Sequence, residues 1–356
     1  MTLHVFNPEH DIALASNLAN FTAPRAGRQL RADLGWLPAL WAERGDAVVV
    51  DDVERAKMDC RESLKHDVGE DICFVTAEEA FRQTDIDSID VWGWDKALKA
   101  FLMRKGAGEA LLPTDDYLER VRMLSHRRMA ALLLPRLQVE GTVGEAHECR
   151  TQEAVEQLMR EYGRVVLKAP WSSSGRGVRF VDCGNSHPGI EKWVDNVVGR
   201  QGSVMVEPQY DRVSDFGMEF WSDGCGGIRY AGLSLFHTAN GAYVGNILAT
   251  EQQKREMIGH YIAMELLDGV REEIVANLDL DDYCGPFGID MMVTSGADGK
   301  YLLHPCVEIN MRRTMGHVAL ALSPADGDMK GVMRIDFNGN YRLTVTERRL
   351  FCDMLH

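Results

Sequence analysis

The sequence predicts an α/β unit followed by an α+β unit, and three features carry that expectation. Short apolar runs alternate with helix-like segments over residues 1–115. From residue 204 onward, apolar runs succeed one another with turn signals between them, such as Asp223-Gly224. Between these regions, "VVLKAPWSSSGRGVRFV" (165–181) reads as strand, glycine-rich loop, strand.

In order along the chain, "TLHVF" is a short strand, followed by the polar stretch "NPEHD". Leu30, Leu34, Leu37 and Trp41 stand at helical spacing and predict a helix over about 28–44. "DAVVVDD" (46–52), "DICFVT" (71–76) and "IDVWGW" (89–94) are strands, and a helix covers 95–105. This alternation predicts a parallel sheet. Residues 117–137 read as one bridging helix, and 151–162 as another helix among strands. The later strands are "VMVE", "FGMEFWS", "IRYAGLSLFHT", "AYVGNIL", "FGIDMMVT" and "YLLHPCVEIN", interrupted by one helix over about 251–277. A hairpin turning at Asn338-Gly339 closes the pattern. The expected division is 1–115, 116–203 and 204–356.

Bulk properties narrow the function. At 356 residues the chain is long enough for two or three domains. A net charge of −15 argues against a nucleic-acid partner, which requires clustered Lys and Arg. The eight cysteines are scattered without a C-x-x-C, a spacing that suggests neither a zinc site nor a disulfide framework. With no secretory pattern at the start and no apolar run of membrane-spanning length, the expectation is a cytoplasmic protein with reduced thiols. The oligomeric state stays open, a homodimer among the options.

The glycine-rich stretch fits neither common phosphate-binding template. In a P-loop the lysine follows the glycines and a helix begins. Here Lys168 precedes Gly175 and Gly177, and "GVRFV" is strand-like. The dinucleotide fingerprint likewise needs a helix next. A hairpin can still fold over a triphosphate, with serine hydroxyls and backbone N–H groups donating to phosphate oxygens. An ordinary surface hairpin is the competing reading. Downstream, Asp290 lies within an apolar strand, and Glu308 and Asn310 stand two apart at the end of another. Residues two apart share a strand face, so the three can converge as hard oxygen ligands for Mg²⁺.

In this order, "VVLKAPWSSSGRGVRF", "VMVEPQYDRVSDFGMEF", "FGIDMMV" and "HPCVEINMRR" resemble the ATP-grasp superfamily. That family includes D-alanine–D-alanine ligases, biotin carboxylases and carbamoyl-phosphate synthetases. The resemblance covers roughly residues 120–320 and implies an ATP-grasp fold preceded by a Rossmann-like parallel α/β domain. It further implies that Lys168 contacts the phosphates of ATP and that Ser172, Ser173, Ser174, Gly175 and Gly177 belong to a lid. Glu207 would begin the adenine hinge, Asp215 would bind ribose, and Asp290, Glu308 and Asn310 would hold magnesium or manganese. Where the family usually has a second phosphate-contacting lysine, this chain offers Arg127, which keeps the charge but changes the geometry. Glu308-Ile309-Asn310-Met311-Arg312-Arg313 is similar to the E-x-N-x-R pattern of the biotin carboxylase branch, where the arginine holds anionic substrate or phosphate. That similarity gives Arg312 a catalytic role beside Lys168, with Arg313 as a substrate candidate.

The activity implied is an ATP- and Mg²⁺-dependent ligation in which a small carboxylate is activated as an acylphosphate and attacked by an amine or similar nucleophile. Glu9, His10 and Asp11 follow the first strand, where ligands of α/β sheets bind, and are the candidates on the substrate side. Trp92, Trp94 and Asp95 end another strand of that unit. Two other classes remain open: a small-molecule kinase on the same fold, and a nucleotide-binding protein without catalysis.

Overall fold

The computed structural model describes residues 1–64, 72–83, 85–172, 175, 177–239, 242–296, 299–327 and 331–347. Among these residues the strands form three sheets.

The first sheet holds β1 (Thr2–Val5), β2 (Ala47–Val49), β3 (Cys73–Val75) and β4 (Ser88–Val91), all parallel, in the order β3-β2-β1-β4. The helices of this region are α1 (His10–Ser16), α2 (Arg25–Leu34), α3 (Val53–Leu64), α4 (Ala77–Gln83) and α5 (Lys96–Lys105). Helix α5 begins where the Asp95 carboxylate accepts the Leu98 N–H at 2.9 Å, and ends at Gly106 with φ 106°, a left-handed conformation that favours glycine. The helix expected over 28–44 stops at Leu34. Gly35 follows, and Pro38 cannot donate an N–H to a helix, so 37–40 forms only a 3₁₀ turn. Helices α1 and α4, seven residues each, are too short for their periodicity to have shown.

The bridge is two helices rather than one: α6 (Asp115–Leu124) and α7 (Arg128–Leu133). Local side-chain bonds break it. Ser125 Oγ donates to the Val121 carbonyl, and the Arg128 N–H donates to His126 Nδ1. The second sheet follows: β5 (His147–Cys149), β6 (Arg164–Lys168), β7 (Val178–Asp182) and β8 (Val204–Pro208), antiparallel in the order β5-β8-β6-β7. Helices α8 (Gln152–Tyr162) and α9 (Ile190–Gln201) belong to this region, and their side chains pack into its core. "VMVE" (204–207) therefore pairs in this sheet and not with the strands that come after it. Strands β6 and β7 pair Lys168 with Val178, which makes the glycine-rich stretch the turn of a hairpin.

The third sheet contains β9 (Asp211–Asp223), β10 (Ile228–Ala239), β11 (Ala242–Leu248), β12 (Cys284–Ser295), β13 (Tyr301–Asn310), β14 (Gly331–Phe337) and β15 (Tyr341–Glu347). Its order is β13-β12-β9-β10-β11-β14-β15, and the pairs are antiparallel. The stretch expected as one helix over 251–277 is broken at Gly259 into α10 (Glu251–Gly259) and α11 (Met264–Asn277), and α12 (Met315–Leu322) follows β13. Strand alternation sorts this sheet into two unlike faces. Phe216, Met218 and Phe220 of β9 join Phe287, Ile289 and Met291 of β12 in the main core, with Leu267, Val270 and Ile274 of α11. Each such side chain contributes about 1.5–3 kcal/mol by leaving water. The alternate positions Asp215, Gly217 and Glu219 of β9, and Asp290 of β12, lie on the opposite face.

Strand β15 packs against α2 and α3 of the first region. Tyr341 N–H donates to Asp33 Oδ2 at 2.7 Å, and Leu34, Trp36 and Val48 share a core with Met333 and Leu343. Among the described residues no helix is long and apolar enough to cross a membrane.

Candidate active site

The polar face of the third sheet is organised by register. Asp290 on β12 lies opposite Glu308 on β13, and Gly288 lies opposite Asn310, so Asp290, Glu308 and Asn310 share a face. Asn310 hydrogen-bonds Asp290 through its side chain. On the other flank, β9 sets Gly217 opposite Asp290 and Glu219 opposite Gly288. A Cβ at Gly288 would come within 2.5 Å of Glu219 Oε2, so glycine leaves the room in which that carboxylate sits. Burial first, then the charges of Glu308 and Glu219, push Asp290 up to about 7. Among the described residues no three His, Cys, Asp or Glu side chains converge as a metal site; the set here is two carboxylates and one amide.

Glu219 was not singled out in the sequence. It is buried, accepts from Thr314 Oγ1 at 2.8 Å and lies 3.0 Å from His317 Nδ1. Its signal was available: it stands four residues after Asp215 in the same strand, on the same face.

Cations from three elements meet this face. Arg127, between α6 and α7, donates from Nη2 to both Glu308 oxygens at 2.8 and 2.9 Å, and from Nη1 to Ser172 Oγ at 2.7 Å. Arg312, just past β13, donates from Nε and Nη2 to the two Asp11 oxygens, each at 2.8 Å, and from Nη2 to Asn310 Oδ1 at 3.0 Å. Burial opposes charge on both partners. The pairing outweighs it, holding Asp11 below and Arg312 above their ordinary ranges. Lys168, at the end of β6, lies 2.6 Å from Glu207 Oε2, both side chains being buried. His304 is 2% exposed and packs edge-on to Tyr210; burial, then Lys168, lowers it to about 3, so it is neutral.

The remaining candidates fall into place around these. Asp215 accepts from Arg212 and Thr238. Gly175 has φ 72°, and Gly177 leaves no space for a Cβ beside Ser172. Ser173 and Ser174 lie outside the described residues. Arg313 parts company with Arg312. It bonds Asp90 of β4 at 3.0 Å, and its guanidinium lies 4.2 Å from the centre of the Trp41 ring. Glu9 pairs with Arg31 at 2.6 Å, and His10 with Asp95 at 3.2 Å. Trp92 is a core residue, edge-on to Phe6.

No family model and no curated protein matches this sequence. Solved structures do. Biotin carboxylase from Campylobacter jejuni, in a β-γ-ATP complex, is 12% identical, with 94% of this chain and 75% of that one covered at a TM-score of 0.52. The chain has the ATP-grasp fold. An N5-carboxyaminoimidazole synthetase from Staphylococcus aureus complexed with ADP is 13% identical, covering 94% of this chain and 82% of that one at a TM-score of 0.48. An L-amino acid ligase from Bacillus licheniformis is also 13% identical, covering 94% and 79% at 0.48. At such identities the likeness is one of fold, and within the ATP-grasp fold the chemistry must be argued from side chains.

Proposed function

We propose that the protein is an ATP- and Mg²⁺-dependent ligase that activates a small carboxylate as an acylphosphate for attack by an amine or similar nucleophile. The observation that carries this reading is the shared face of Asp290, Glu308 and Asn310, with Arg127 on Glu308, Arg312 on Asn310 and Lys168 3.5 Å from the Val307 carbonyl beside Glu308. An acid pushed up to about 7 by burial and by two neighbouring carboxylates marks a cluster with more negative charge than its surroundings neutralise. Two carboxylates and an amide oxygen are the hard donors a divalent cation prefers, so these residues fit Mg²⁺. Held by Asp290, Glu308 and Asn310, Mg²⁺ would supply charge neutralisation for the triphosphate.

The protein's own groups then do the positioning. Lys168 and Arg127 take phosphate oxygens in exchange for Glu207 and Glu308. Arg312, oriented by Asp11 and Asn310, steadies the phosphoryl group and the acyl oxygen as charge moves between them. Glu207 and the residues after it face adenine, Asp215 holds the ribose hydroxyls, and Ser172, Gly175 and Gly177 lie beside the phosphates. The cytoplasm, with its reduced thiols, is the compartment that belongs to this reading.

The test is a screen of amino acids and small carboxylates for Mg²⁺-dependent release of ADP, with mass spectrometry of the product. A ligase yields free phosphate and a condensed product. A phosphorylated acceptor without free phosphate would make the protein a kinase. No ADP with any compound, despite tight ATP binding, would leave only a nucleotide-binding role.

A further inference from the structure

A cavity of about 800 Å³ lies between the parallel sheet and the end of the third sheet, and none of the residues assigned to nucleotide or metal lines it. It runs along a face of the parallel sheet rather than above its carboxyl ends. Thr2 and His4 of β1 and Ser88 and Asp90 of β4 supply that wall, alternate positions of two paired strands beginning at their amino ends. The facing wall is Trp221 of β9 with its two cross-strand partners, Arg229 of β10 and Pro286 of β12. The volume is that of a small-molecule site, for which about 300–1,000 Å³ is usual.

The lining narrows the ligand. Four of the chain's seven tryptophans meet here: Trp41, Trp92, Trp94 and Trp221. Trp92 is buried, but the other three are only half-buried, which leaves ring surface uncovered in the hollow. The Trp41 N–H is spent on Asp90 at 3.1 Å; those of Trp94 and Trp221 donate to no described residue. Such walls suit a planar ring, which stacks on them or meets their edges. Arg313 sets the sign of the charge. It is 6% exposed, with its guanidinium 4.2 Å from the centre of the Trp41 ring and 5.8 Å from that of Trp221. Its donors are unevenly used. Nη2 donates to both Asp90 oxygens, at 3.2 and 3.0 Å, while Nη1 bonds no described residue and Nε is buried without a partner. A guanidinium is a rigid fork of donors that matches a carboxylate and stacks on aromatic rings. The acids at the parallel-sheet wall are already taken up. Asp90 also meets His4 at 2.8 Å, and Asp46 accepts from the Thr2 and Glu43 N–H groups and meets His4 at 3.1 Å. His317 lies 3.0 Å from Glu219. At the rim, Arg229 and Glu43 are exposed and make no ion pair among the described residues. The donors left over are those of Arg313 and Arg229, against one acid, Glu43.

We propose that this cavity is a second binding site, for an aromatic carboxylate of one or two rings: the ring system lies among the tryptophans, and the carboxylate takes the free donors of Arg313 and Arg229. The site stands whether or not the protein is a ligase, because it uses none of the residues given to nucleotide, metal or phosphoryl transfer. It is nevertheless close to them in the chain. Arg312 turns to Asp11 and Asn310, whereas Arg313 turns to Asp90, so the two sites stand back to back at the end of β13.

Isothermal titration calorimetry on the full-length protein tests this, with phenylacetate and 1-naphthylacetate as probes. Both should bind at a single site, the two-ring probe more tightly. 1-Naphthylacetamide lacks the charge, 2-(1-naphthyl)ethylamine reverses it, and cyclohexylacetate lacks the planar ring. Each should bind about ten-fold or more weakly than its aromatic acid. Saturating Mg²⁺-ADP should not displace either probe. Arg229→Gln, a change at an exposed position, should weaken 1-naphthylacetate about five-fold or more with the melting temperature unchanged. Trp221→Leu should weaken it further; if that variant does not fold, Arg229→Gln and the ligand series decide. No binding of 1-naphthylacetate at millimolar concentration overturns the proposal. So does equal affinity for the amide, tighter binding of the amine, or an affinity untouched in Arg229→Gln. Displacement by ADP would put the probe in the nucleotide site and overturn it equally.

Discussion

On the lid side of the candidate site, Lys168 and Arg127 rest on Glu207 and Glu308; on the side of the parallel sheet, Arg312 and Arg313 rest on Asp11 and Asp90. The four pairs look alike in distance and differ in what they join. Each lid-side acid has a second proposed task, at the adenine or at the metal, so those pairs can exchange when nucleotide arrives. Asp11 and Asp90 belong to the parallel sheet's region and have no nucleotide to meet. Their pairs clamp that region to the end of β13. A buried ion pair says little by itself; whether the acid has other work decides whether the pair is meant to open.

The largest effect should come from the lid side. Glu308→Gln removes a metal ligand and the partner of Arg127, and should lower phosphoryl transfer by three orders of magnitude or more, about 4 kcal/mol or above. Nucleotide affinity and the melting temperature should change little. Ordinary turnover in that variant at ordinary magnesium would remove the metal assignment.

Arg312→Ala comes next. Losing a charge-assisted bond at the transferring group should reduce kcat by two to three orders of magnitude, about 2–4 kcal/mol, measured as ADP release at saturating ATP. Its neighbour should behave differently. Arg313→Ala removes one cation from the half-buried Asp90, which keeps His4 and the Trp41 N–H, and should cost about 1–3 kcal/mol of stability in denaturant unfolding, with kcat close to wild type. If Arg313→Ala damages kcat and Arg312→Ala is silent, the clamp and the catalyst have been interchanged.

The smallest effect concerns His4, which bonds Asp90 at 2.8 Å and Asp46 at 3.1 Å within the same clamp. Burial opposes its charge, but the two carboxylates outweigh it and raise it above its ordinary 6.5. Its contribution is therefore complete below pH 6.5 and fades as pH rises through the higher folded value. His4→Gln should be less stable than wild type in acid, with the gap narrowing as the pH climbs. A gap that widened instead would contradict the sign.

The division between these regions also marks what was legible in the sequence. Asp290, Glu308 and Asn310 could be placed together because strand alternation is a local rule and their strands are adjacent in the chain. The Arg127–Glu308 and Arg312–Asp11 pairs span 181 and 301 residues, and nothing in local pattern predicts such meetings. The breaks at Ser125 and Gly259 were missed because apolar periodicity carries on across them, while side-chain bonds and a weak helix former decide the backbone. Helices α1 and α12 are seven and eight residues long, too brief to declare a period.

The seam between α2, α3 and β15 bears on how the chain is made. Leu34, Trp36 and Val48 complete their core only with Met333 and Leu343. A ribosome adding about 5–20 residues per second needs roughly 15–60 s to pass from the first group to the second. For that interval the nascent parallel sheet carries an apolar face whose native cover does not yet exist, and it must wait, shielded or exposed, for the last hairpin to emerge.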